Sequence, residues 1–148
     1  VIEKRLVTNA LATLLGTATS LPVGRSVMPT GSPPYYVLTP VDTSTSGAPY
    51  ADVNEDMSLV YQVTAVSGPL SGQPGTTGTL EQAEGLADKA RTAVLGRAPG
   101  TGQWLHPLTV AGAAVMCREL ETEPGATSDP ADGIISYVLR FRLDLTVA

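Results

Sequence analysis

Three side chains with metal-binding chemistry alternate at Asp52, Asn54 and Asp56, the spacing that opens a calcium-binding helix-loop-helix. The pattern then fails. Its sixth position falls on Met57, where the sharp turn needs a glycine, and its twelfth on Val63, where the ion needs a bidentate glutamate. With Asp42 and Glu55 close by, these carboxylates read as a solvated acidic edge suited to docking. A glycine-rich run from Gly68 to Gly78 stands between a strand and a helix, where nucleotide-binding loops occur. Gly72, Gly75 and Gly78 are not in the dinucleotide-binding order, and no lysine followed by serine or threonine supplies a phosphate-binding loop. Nucleophilic catalysis needs a base, and the one histidine, His106, is followed by Pro107. The one cysteine, Cys117, lies in an expected strand and reads as a small buried hydrophobe. One His and one Cys do not make a four-ligand zinc site of nitrogen and sulfur donors from a single chain. No G-x-S-x-G turn presents a serine. The expectation is therefore no catalytic, cofactor or metal-binding residues.

Arg118, Arg140 and Arg142 form the only local basic cluster, on an expected C-terminal hairpin. Two readings stay open for them. They pair across strands with Glu119, Glu121 and Asp144, each pair contributing a few tenths of a kcal/mol, or they make an electrostatic contact across a subunit boundary. The interface candidates are thus Asp42, Asp52, Glu55, Asp56, Arg118, Arg140 and Arg142. Trp104, in a turn-rich segment, is an anchor either for the core or for an interface.

These residues need a scaffold, and the composition describes it. The chain has 148 residues, 43% of them apolar and 16% charged, with 9 basic against 14 acidic side chains and a net charge of −5. That suits a single domain over residues 1–148, large enough to bury roughly 70% of its unfolded surface without metal or disulfide staples. A lone cysteine excludes an intramolecular disulfide. The acidic balance argues against gripping nucleic acid, which takes clustered Lys and Arg. No apolar run approaches the ~20 residues that span a bilayer. Lys4 and Arg5 ahead of Leu6–Leu15 imitate a signal peptide. Thr8, Asn9 and Thr13 interrupt that run, and Leu6, Ala10, Leu11, Leu14 and Leu15 share one face of an amphipathic helix.

Periodicity and turn chemistry predict a helix over residues 3–15 ending at Gly16, an extended piece over 21–27, and a strand over 35–41 with Pro40 near its end. A strand over 56–66 follows, with Met57, Leu59, Tyr61, Val63 and Ala65 on one face. Thr79 and Gln82 have capping-box spacing at the start of a second helix, whose buried stripe is Ala83, Leu86, Ala87, Ala90 and Val94 and whose end is Gly96. A strand over 105–111 and a hairpin of 113–122 with 133–147 complete the chain. The last strand alternates most strictly, with Ile135, Tyr137, Leu139, Phe141, Leu143, Leu145 and Val147 on one face. Its length, on the order of 50 Å, predicts that part of it protrudes or pairs with another subunit. Segments 42–55, 67–78 and 123–133 are expected to be long loops ordered by partners. The order of elements predicts an α+β domain, a mostly antiparallel sheet with two helices packed on one face, long loops and a long C-terminal β-hairpin.

The opening IEKRLVTNAL helix, the LVYQVTAVS strand, the TLEQAEGLADKARTAVLG helix after a glycine-rich loop and the closing ISYVLRFRLDLTV strand resemble the tail terminator proteins of long-tailed, non-contractile bacteriophages. The likeness spans nearly the whole chain and rests on layout. It implies a structural protein of the virion, assembled in the host cytoplasm and placed at the head-proximal end of the tail. There a hexameric ring of such subunits caps the tube, ends polymerisation of the major tail tube protein, contacts the tape measure protein and offers a docking surface to the head-tail connector. DNA passes the lumen without specific binding, which suits an acidic chain, and no cofactor or membrane is implied. A ring needs two different complementary patches on each subunit, which long loops and a free sheet edge can supply. Two rival readings remain: a head-to-tail connector or stopper component, and, from another class, a small cytoplasmic enzyme or ligand-binding domain with a concave apolar pocket.

Overall fold

The computed structural model describes residues 2–29, 31, 33–46, 56–69, 77–129 and 131–147. The chain runs α1 (Lys4–Thr19), β1 (Val23–Arg25), β2 (Tyr35–Ser46), β3 (Asp56–Ser67), α2 (Leu80–Leu95), β4 (Ala113–Asp129) and β5 (Ile134–Val147). The strands form one five-stranded sheet in the order β1-β2-β3-β5-β4. Every neighbouring pair is antiparallel except β1 with β2. Both helices lie on one face, giving the two-layer α+β fold, and the C-terminal hairpin is long as expected. Among the described residues no helix is long and apolar enough to cross a membrane.

The core sits between helices and sheet, and period-two alternation in the strands builds it. Leu139, Phe141, Leu143 and Leu145 are all fully buried, opposite Val63, Tyr61, Leu59 and Met57 on β3. Against them pack Leu11 and Leu15 of α1 and the predicted α2 stripe, to which Ala93 is added. Burial of this kind contributes about 25 cal/mol per Å² of apolar surface. Two tyrosines fasten the layers. The buried Tyr36 hydroxyl donates to the Leu86 carbonyl in the middle of α2 at 2.6 Å, and Tyr61 shares a 2.8 Å hydrogen bond with Thr8 of α1.

The α2 N-terminus departs from a simple capping box. Thr79 Oγ1 accepts the Gln82 amide at 3.1 Å, as expected. Gln82 does not reach back to the cap. Ser67, fully buried at the end of β3, stands between them: its hydroxyl accepts the Thr79 amide at 3.1 Å and donates to Gln82 Oε1. The last residue of a strand thereby satisfies a helix terminus that local sequence would have left to its own side chain. At the other end, Gly96 ends α2 through close approach. Its backbone is extended, and a Cβ there would run into the Thr92 carbonyl oxygen and the Leu105 side chain.

Several boundaries differ from the expectation. Helix α1 passes through Gly16 to Thr19, and Ser20 supplies the left-handed cap, its amide bonded to the Gly16 carbonyl. Strand β2 continues through Asp42 to Ser46. The register shift between Pro40 and Asp42 accommodates the proline, on a stretch of β2 beyond its pairing with β1. No strand forms over 105–111; only the isolated bridges Arg97↔Trp104 and Val110↔Ala113 do, and the segment wraps the C-terminal end of α2. Strand β4 runs on to Asp129, through Pro124, with three register shifts, so the expected loop at 123–133 is mostly strand. Strand β5 does not protrude. β3 pairs it from Asp56↔Thr146 to Ser67↔Ile135, and β4 covers its other side. The sheet edges are β4 at one side and, at the other, β1 with the stretch of β2 beyond it.

Candidate interaction surfaces

The seven charged residues expected at an interface are distributed by strand parity. Cross-strand partners share a face, so Asp42, Asp56, Arg140 and Arg142 all lie on the helix-free face of the sheet. Asp42 is exposed on β2 opposite Val60 and caps the Thr43 amide at 2.9 Å. Asp56 is the exposed first residue of β3, opposite Ser46. Asp52 and Glu55, and with them most of the calcium-like spacing, lie outside the described residues. Among the described residues, no group of His, Cys, Asp and Glu has metal-binding geometry.

Arg140 and Arg142 are brought together. Arg140 donates from Nε to Gln62 Oε1 at 3.3 Å, across the β3–β5 pair. Arg142 pairs with Glu119 of β4, and its Nε lies 3.5 Å from Asp144 Oδ1, a charge contact without hydrogen-bond alignment. Of the two readings left open, cross-strand pairing thus describes Arg142. The face around them is polar but not fully wet: Val60 and Val66 are 7% and 6% exposed among Ser58, Gln62 and Thr64. It is a wide, gently charged surface, and among the described residues no helix packs over it.

Arg118 does not join them. A bulge at Met116 shifts the parity of β4, so that Cys117 faces Asp144 on the helix-free side and Arg118 turns to the helix side opposite Leu143. There it is buried, 7% exposed, and its Nη1 donates to the Val94 carbonyl at 3.2 Å and the His106 carbonyl at 2.9 Å. Helix α2 has no basic residue in its last turn, and Arg118 brings positive charge to that end from another element. Burial, and then the charge of Arg97, press the Arg118 pKa below the ordinary arginine value. Its guanidinium lies 4.5 Å from the centroid of the Trp104 ring, and exposed Arg97 stacks on the same ring at 4.0 Å. Trp104 is thus half-buried and held by two cations, in a surface cleft of about 460 Å³.

A second concavity, of about 550 Å³, lies between α1 and residues 106–111. Leu6, Ala10, Leu14 and Val110 give it apolar walls, and Asn9, Thr13 and His106 give it polar points. Neither the groove nor the Trp104 cleft was legible beforehand, because both are built by a segment whose sequence reads as a strand. The one signal was a lone tryptophan among turn residues. His106 and Cys117 lie on opposite sides of the sheet and do not form a nucleophile–base pair, and Cys117 is half-buried where a buried hydrophobe was expected. No protein-family model matches the chain, and no curated protein matches it.

Proposed function

We propose that this chain is a ring-forming structural subunit of a bacteriophage tail, a tail terminator that caps the tube and receives the head connector, acting by stoichiometric binding. The observation that carries the reading is the uncovered sheet face. A small domain in which no described helix covers one side of a five-stranded sheet, with Val60 and Val66 set among hydroxyl and amide side chains, has a surface suited to contact with other subunits. Arg142 meets Glu119 and Asp144 on that face, so its charge is locally compensated, as suits a wall past which DNA slides. The open β4 edge is a second, different patch, and a closed ring requires two. Layout of the kind shared with tail terminators supports the particular role.

Native mass spectrometry over a concentration series tests the proposal, with the chain alone and with tail tubes added. Six copies of 15.3 kDa give a species of about 92 kDa. Its appearance alone or on tubes is the expected result, and a strict monomer under both conditions refutes the ring. A second reading is favoured by the groove beside α1, whose volume of about 550 Å³ lies in the range of small-molecule sites. A ligand-binding domain would stay monomeric and lose binding when Ala10 is enlarged to leucine.

A further inference from the structure

We propose that the Arg97–Trp104–Arg118 stack is a receptor for a carboxylate on another protein chain, an aspartate or glutamate side chain seated in the cleft beside Arg118. The argument begins with what Arg118 lacks. Arg118 is 7% exposed, and both donors accounted for come from Nη1, to the carbonyls of Val94 and His106. Nε has no hydrogen-bond partner. Those two carbonyls fix the plane of the group and leave the Nε side of the fork unspent, which is an edge that takes a carboxylate through two parallel hydrogen bonds. No carboxylate in the described part of the chain pairs with Arg118 or Arg97; the ion pairs there use Arg5, Arg91 and Arg142. A buried cation held by two carbonyl dipoles and an indole face, with a second cation on the same indole and no described carboxylate, is an unbalanced charge, in a chain whose net charge is −5.

The surroundings select the ligand. Leu108, Val115 and Pro107 wall the cleft with apolar surface, where a charge-assisted hydrogen bond is strengthened by the lowered local dielectric. The planar fork matches a planar carboxylate. Val115 and Arg118 belong to β4, an edge strand of the sheet, so a chain approaching that edge passes the cleft. Charge complementarity makes that partner segment acidic. The Trp104 ring lies over the face of the same guanidinium, so a carboxylate seated on its edge changes the surroundings of the indole.

That change supplies the readout, because Trp104 is the only tryptophan. The chain is titrated with sodium acetate and with an acetyl-capped tetraglutamate peptide, following tryptophan emission, against sodium chloride at equal ionic strength and against sodium sulfate. The expected result is a saturable change with acetate and peptide, absent with chloride. Arg118→Lys keeps the charge and loses the fork, and weakens both by about tenfold; Arg97→Gln, at an exposed position that leaves the fold intact, weakens the peptide several-fold. Emission that follows ionic strength alone overturns the proposal, as does unchanged binding in folded Arg118→Lys. Should that variant fail to fold, unchanged binding in Arg97→Gln overturns it. Tighter binding of sulfate than acetate replaces it with a tetrahedral-anion site.

Discussion

Replacing Tyr36 by phenylalanine removes one oxygen from the place where sheet and helix are fastened, and its effect should reverse sign with pH. At neutral pH the variant loses the 2.6 Å bond to the Leu86 carbonyl. That carbonyl lies within α2, where the helix ladder still supplies a donor, so the loss is that of an ordinary hydrogen bond, about 1 kcal/mol. Burial pushes the Tyr36 hydroxyl up to about 12 from the ordinary tyrosine value of about 10. Above the unfolded value, the unfolded chain releases a proton that the folded chain keeps. The unfolded state then binds fewer protons and stability falls as pH rises. The loss is absent below the unfolded value, reaches about 1.4 kcal/mol one unit above it and levels off at about 2.7 kcal/mol beyond the folded value. Tyr36→Phe has no such proton. Urea unfolding of both proteins at steps from neutral to strongly alkaline pH should show the wild type more stable at first, the two equal near about pH 11, and the variant more stable beyond. Tyr61, whose pKa is also raised by burial, titrates in both proteins and cancels in the difference. Stability curves that stay parallel across this range would refute the claim that Tyr36 is held neutral in the core.

Phe141→Ala, at a fully buried position in the centre of β5, should cost about 3–5 kcal/mol in urea unfolding, because the packed neighbours on β3 and in the core cannot close the space. Thr79→Ala should cost about 1 kcal/mol through loss of the α2 cap, and Ser67→Ala should cost at least as much, since Ser67 serves both the Thr79 amide and Gln82; a neutral Ser67→Ala would show the strand-to-cap link to be idle. Arg140→Glu with Arg142→Glu places new carboxylates beside Glu119 and Asp144. It should lower monomer stability by only about 1–2 kcal/mol while abolishing the assembled species in native mass spectrometry. Unchanged assembly in a folded double variant removes these two arginines from the interface.

Sequence alone determined the elements whose pattern is local. The strict alternation of β5 and β3 and the alanine-leucine stripe of α2 each repeat over enough residues to name their buried face, and with them came the α+β class and the shared face of Arg140 and Arg142. What depended on a partner in space was not legible. The polar stretch Asp42–Ser46 belongs to a strand because β3 lies beside it, and the more apolar 105–111 forms only an isolated bridge because it pairs with no strand along its length. Arg118 went to the opposite face from its supposed companions through a single inserted residue, Met116, in β4. A bulge reverses every side chain after it, and its position is set by the register with β5, not by the residues around it. Its destination, between the end of α2 and Trp104, joins three segments distant in sequence. Periodicity reports which side of an element faces the core; only tertiary packing decides what a polar group placed there will meet.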